Sequence, residues 1–338
     1  TAASNLMAIG RSALGAWTAT GGNAAVAIGN YAAAATVSGG DFTAVGYAAL
    51  MSNTTGHTNT AIGTGAMDTN TTGHSNIGIG NYALDDNTTG TKNVAIGGLY
   101  TLGDNTTGSQ NTAVGYNALR TSTTANNNNA FGFNALGANT TGTQNSAFGE
   151  EAMLTNTTGG QNVAVGSEAL KANTTANNNT AIGRSALAAN TTGDTQTAVG
   201  FNALLLNTTG SNNTALGTRS LDANTTGTNN VAVGDMALGA NTTANSNTAV
   251  GVDALKVNTT GAQNTAIGLG SMVTNTTGSA NTGLGKKSLQ DNTTGGENVA
   301  VGRYALGDNT TASNNTAVGN SAMEKNTTGH SNAAFGYS

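Results

Sequence analysis

Apolar and polar positions follow one another along this 338-residue chain in a phrase that recurs at every seventeenth position. One unit reads N-T-A-V-G-x-x-A-L-x-x-N-T-T-G-x-x. Aligning on the glycine that closes each NTAVG-like stretch gives twenty anchors, from Gly10 to Gly336, and all but two of the intervals between them have this same length. The exceptions are the intervals from Gly10 to Gly29, longer by two positions, and from Gly97 to Gly115, longer by one. The extra residue of the second lies within 98–101, because the phrase from Leu102 onward is intact. A fixed short period of this kind is the signature of stacked coils that bury a core only against their neighbours.

Within a unit the residue before the anchor glycine is always large and apolar, as at Ile9, Val114, Phe131, Phe148, Leu216 and Phe335. Period-2 alternation puts it on the same strand face as the Thr or Val two positions earlier, such as Val94, Thr112, Val163 and Thr180. Its size predicts that this face points into the core. The residue between them is Ala in eighteen units and Gly in two, Gly78 and Gly283, which predicts a flat opposite face of small side chains. The A-L pair, with Met in place of Leu at Met67, Met153, Met272 and Met323, reads as a second short strand that closes the core. Gly and Asn in the intervening turns suit positive φ. Helix is disfavoured, since each apolar cluster ends after two or three residues. The expected fold is all-β, a parallel β-solenoid of about twenty coils with two short strands each. It forms one repeat domain over 1–338, less regular in coils 1–46.

At roughly 4.8 Å per coil such a stack makes a rod on the order of 95 Å long. Equivalent residues then stack, so that Asn53, Asn70 and Asn87 begin one amide ladder and Asn111, Asn128 and Asn145 another. Solenoid ends need caps, and none is visible at Ser338. A continuous Ala/Gly face is a surface that monomers avoid, so it is expected to pack against sister chains around a common axis.

Composition narrows the function. The chain has 49 Gly, no Pro, no Cys, 4% aromatic and 8% charged residues, against roughly 25% charged in ordinary domains. Eleven basic residues and a net charge of −5 offer no stripe for a phosphate backbone, so nucleic acid is not an expected partner. The lack of cysteine removes disulfides and thiolate metal sites. No signal peptide or long apolar run is present. The start at Thr1 without Met and the stop in mid-repeat suggest a segment, with any membrane contact made by an anchor outside it.

The phrases NVAVGSEAL (162–170), NTAIGRSAL (179–187) and NTAVGYNAL (111–119) resemble the head repeats of YadA-like trimeric autotransporter adhesins and similar repeats in phage and prophage tail fibres. The unit here is a few residues longer, around the NTTG turn. The resemblance implies a left-handed β-roll, a homotrimer, and extracellular display on a bacterial cell or phage virion.

Candidate chemistry lies in the variable slots. Tyr47, Tyr82, Tyr116, Phe133, Phe201 and Arg303 follow anchor glycines and are the expected contacts for a host-surface or matrix receptor. Glu151 and Glu168 share a slot on adjacent coils, as paired catalytic carboxylates would, but lack a third polar partner. Asp86 with Asp104, and Asp291 with Asp308, are candidate Ca²⁺ pairs short of the six oxygens that calcium wants. His57 and His74 share a turn slot, with His330 far along, and metal there wants a third ligand. The NTT triplets from Asn53 to Asn326 match the N-glycosylation pattern but are explained by turn geometry. No cofactor is implied, and no local break in the repeat gathers acids or His for an enzyme. The reading is therefore a structural, adhesive fibre segment. The alternative is an ice-binding solenoid, for which Thr in turns is poorly placed, since a flat array is best built on a strand.

Overall fold

A computed structural model describes residues 5–18 and 23–337. The fold is all-β, with twenty parallel strands, about 19 solenoid turns and no helix among the described residues. The chain divides into two compact units, Thr1–Glu168 with Asn173–Thr175, and Ala169–Ala172 with Ala176–Ser338. The first holds β1 (Asn5–Ile9), β2 (Ala24–Ile28), β3 (Phe42–Val45) and seven three-residue strands to β10 (Val163–Val165). The second holds β11 (Thr180–Ile182) to β20 (Ala333–Phe335). In each unit the register follows the sequence repeat, with Ala44 opposite Ala61 in the first and Ala198 opposite Ala215 in the second. Residues 19–22, which hold part of the long first interval, and Ser338, where the sequence shows no cap, lie outside the described residues.

Each coil contains one strand, not the two expected. The A-L segment is a series of turns in which the residue before Ala and the Leu itself both adopt positive φ, as at Asn117 (54°) and Leu119 (52°). A third such residue precedes the Asn that leads into the strand, for example Asn127 (60°). Left-handed backbone costs a non-glycine residue about 1–2 kcal/mol. The cost is offset because these amides bond to adjacent coils. Leu119 N donates to Ala135 O at 3.0 Å, Asn134 N to Tyr116 O at 3.0 Å and Asn127 N to Ser109 O at 3.2 Å. The stacking of coils therefore holds a conformation that no single coil would keep.

The strand faces are the reverse of the size-based expectation. The central Ala is fully buried, 0% exposed at Ala61, Ala113, Ala198 and Ala215. The large residue beside it faces out, with Ile62, Val165, Ile182, Leu216 and Ile267 each about two-fifths exposed. The reason is the width of the coil. A Cβ at Gly78 would lie 3.1 Å from Met67 Cγ and from Ala83 O. One at Gly283 would lie 2.7 Å from Ser271 Oγ and 2.9 Å from Met272 Cε. At these two positions, each beside a Met, a methyl would be crowded and Gly stands in place of Ala, although Ala164 follows Met153 and is fully buried. The anchor glycine is equally constrained, since at Gly46 (φ 140°) a Cβ would meet Gly63 O at 2.3 Å.

The interior is filled by that Ala, by Ala and Leu of the A-L turn, and by two ladders of buried Asn. In one ladder Asn207 Nδ2 donates to Asn190 Oδ1 at 2.9 Å and to Gly210 O at 3.0 Å. In the other Asn230 N donates to Asn213 Oδ1 at 2.9 Å, and Asn230 Nδ2 to Ala244 O at 2.8 Å. The expected ladders exist and lie inside, where hydrogen-bonded amides avoid the cost of burying lone polar groups, Asn105 Oδ1 and Asn315 Nδ2 being exceptions.

Candidate interaction surfaces

Because the strand points its larger side chains outward, each unit presents two parallel columns on the strand face. One is mostly Thr or Val and the other is Val, Ile, Leu or Phe. In the second unit they run through Thr197 and Val199, Thr214 and Leu216, Thr248 and Val250, and Thr265 and Ile267, paired in register. Phe131 and Phe148 stack in the aliphatic column with centroids 4.9 Å apart and planes 8° from parallel. No charged residue lies in either column over β2–β20. Contiguous exposed apolar surface of this kind is uncommon on soluble monomers.

The residues after the anchor glycines form a neighbouring column. Tyr47, Tyr116, Phe133 and Phe201 are exposed, Tyr82 is half-buried and Arg303 exposed. Tyr116 stacks on Phe133 at 5.6 Å and Tyr82 on Tyr100 at 5.6 Å, while Tyr31 meets the Tyr47 ring edge-on at 5.9 Å. The Arg303 guanidinium sits 4.8 Å over the Tyr304 ring. These side chains do not converge on a pocket. Rings stacked on one another turn faces inward to the ladder and edges to solvent. An open groove of about 700 Å³ runs beside Leu6, Met7, Val26 and Phe42 in the first coils.

Among the acidic stacks Asp86 is exposed and Asp104 half-buried, whereas Asp85 Oδ1 is buried without a hydrogen-bond partner. Burial first, and then the Asp86 carboxylate, push Asp85 up to about 7. Asp68 is also raised by burial and by Asp86. Asp104 is raised by burial against the opposing pull of Arg120. Asp308 receives Lys325 Nζ at 2.8 Å. His57 and His74 stack with centroids 4.8 Å apart and planes 7° from parallel, and His330 Nδ1 accepts from Ser313 N at 2.9 Å. Glu151 and Glu168 lie on neighbouring coils of an open surface, half-buried, with Glu168 N bonded to Glu150 O at 2.9 Å. Among the described residues no group of three His, Cys, Asp or Glu could hold a metal ion. The Asn of the NTT triplets from Asn53 to Asn309 are buried, with side-chain nitrogens donating inside the coil, as Asn53 does to Gly56 O at 3.0 Å. They are inaccessible for glycosylation of the folded chain.

Reading the residues missed that the large slot is outward. One signal for it was present. A slot inside a stack must keep its volume, and the Ala slot never exceeds Ala, whereas its neighbour ranges from Val to Phe. Among known proteins, no family model and no curated sequence matches the chain. Among the described residues no helix is long and apolar enough to cross a membrane.

Proposed function

We propose that the chain is a structural and adhesive fibre segment that assembles as a homotrimer through its outward strand face and is displayed on a bacterial cell or phage surface. The observation that supports this reading is the uncharged double column of Thr or Val and Val, Ile, Leu or Phe. It leaves apolar side chains such as Ile182, Leu216 and Ile267 about two-fifths exposed in coil after coil. Packing three such stripes together removes them from water, at roughly 25 cal/mol for each Å² of apolar surface covered. The face that associates is thus the Thr/aliphatic one rather than the Ala/Gly one. The columns left outside, with Tyr47, Tyr116, Phe133, Phe201 and Arg303, are where a host-surface or matrix receptor would be met. The YadA-like phrase adds the number three and the surface setting. Light scattering on the purified chain tests the assembly. The reading expects three times the 33.0 kDa chain mass, and a monomer overturns it.

A second reading is favoured by the same face. Thr197, Thr214, Thr248 and Thr265 stand on a strand and point outward in register, the arrangement an ice-binding array requires. Thermal hysteresis from a monomeric chain would select it.

A further inference from the structure

The NTTG edge of the coils holds a column that the fold does not explain. Seventeen successive coils carry Thr as the second threonine of the triplet, from Thr55 to Thr328, and every one is exposed. The first threonine is accounted for, because its hydroxyl bonds the next coil. Thr259 Oγ1 donates to Thr276 O at 3.1 Å, Thr276 to Thr293 O at 3.0 Å and Thr293 to Thr310 O at 2.9 Å. The second is not. Among the described residues, the hydroxyls of Thr260, Thr277, Thr294 and Thr311 make no intrachain hydrogen bond. The slot two residues later tolerates His57, Thr91, Asn126, Gly160, Asp194 and Ala262, so an exposed turn position here has no general need for one residue type.

We propose that in the second unit this edge is a binding track for a neutral, linear polysaccharide lying along the direction of coil stacking. In the second unit an open groove of about 510 Å³ is lined by Thr277 and Thr294, by Ser279 and Ser313, and by Gln263, Asn314 and Glu297. It offers hydroxyls, amides and one carboxylate, and no aromatic ring. The donors and acceptors repeat at about the 4.8 Å coil spacing, close to the length of one sugar residue in an extended glycan. Each contact is weak, and a ligand that repeats in step engages many at once. The walls favour this ligand over others. A polyanion would meet Glu297 and no cation in this groove. A protein partner would want the aromatic or Arg anchors that are missing. Ordered ice would want a level surface, and Ala262, Gln263 and Gly296 differ in length.

The test uses the full chain against immobilised amylose, cellulose, β-1,3-glucan and mannan, with alginate as the polyanion. A quadruple variant, Thr260→Val, Thr277→Val, Thr294→Val and Thr311→Val, keeps the branched shape and removes the hydroxyls. Retention on at least one neutral glycan is expected, weakened about tenfold or more in the variant, with circular dichroism and melting temperature unchanged. No retention on any neutral glycan, equal binding by the variant, or binding to alginate alone overturns the proposal. So does thermal hysteresis that this variant abolishes, which would assign the edge to ice. The outward strand face is untouched by these substitutions, so the native mass tests the trimer separately.

Discussion

The first coils and the regular coils solve the same packing problem with opposite chemistry. In regular coils the two interior slots that flank the turn edge hold Asn, and the amides find their partners one coil away. In the first coils the equivalent slots hold Trp17 and Thr36 on one side and Leu6, Ala25 and Phe42 on the other. Trp17 packs edge-on against Phe42 with centroids 6.2 Å apart. The Asn59 ladder begins only after Phe42. A buried amide column is favourable while a neighbour continues it, and its end would strand donors and acceptors. The aromatic plug strands a single donor, the Trp17 indole N–H, so the repeat begins on it at less cost than on an open amide column.

Exchanging the two chemistries is the strongest way to break this comparison. Asn207→Leu keeps the volume but removes the bonds from Asn207 Nδ2 to Asn190 Oδ1 and Gly210 O and the one from Asn224 Nδ2 to Asn207 Oδ1, so that Gly210 O is left with Gln196 Nε2 and Asn224 Nδ2 with Gly227 O. A loss of about 3–5 kcal/mol is expected in chemical denaturation. Little change would mean that Asn is there for solubility during synthesis and not for the core. Ala215→Leu should cost about 3 kcal/mol through overpacking, whereas Leu216→Ala beside it leaves the coil interior untouched. Trp17→Ala, at a half-buried site, is expected to cost about 2 kcal/mol, read as earlier exchange of amides in the first coils alone.

Smaller changes sharpen the picture. Ser122 interrupts the amide ladder, and both Ser122 Oγ and Asn105 Oδ1 are buried with no hydrogen-bond partner. Ser122→Asn should restore the step and stabilise the first unit by about 1 kcal/mol, seen as a raised denaturation midpoint. Asp85 has a folded pKa near 7, above the roughly 3.9 of an unfolded chain. Its contribution is therefore most favourable below pH 4 and is lost as pH rises toward 7. Asp85→Asn should flatten that dependence and add about 1 kcal/mol near pH 7, after allowance for solvent around a half-exposed group.

Much of this was legible in the sequence. The anchor glycines locate the coils, and the Asn slots locate the ladders that the structure places inside. The strand pattern was harder to read. Period-2 alternation separates Ala198 from Val199 but does not say which looks inward, and size pointed the wrong way because the coil is too narrow for Val. The A-L pair looked like a strand because nothing local shows that Leu119 sits at positive φ. That conformation is held by bonds to the next coil. The aromatic plug was hidden because Trp17 and Phe42 occupy Asn slots without resembling them.

The central claim is that copies associate through the outward strand face, and a paired mass measurement tests it most directly. Leu216→Glu with Ile267→Glu places two charges in the stripe and leaves the buried Ala column alone. Light scattering should give three times 33.0 kDa for the parent chain and 33.0 kDa for the variant, with the same β-sheet signal in circular dichroism. A variant that keeps the parent's trimeric mass would contradict the account, because the charged stripe could not then be the surface that holds the copies together.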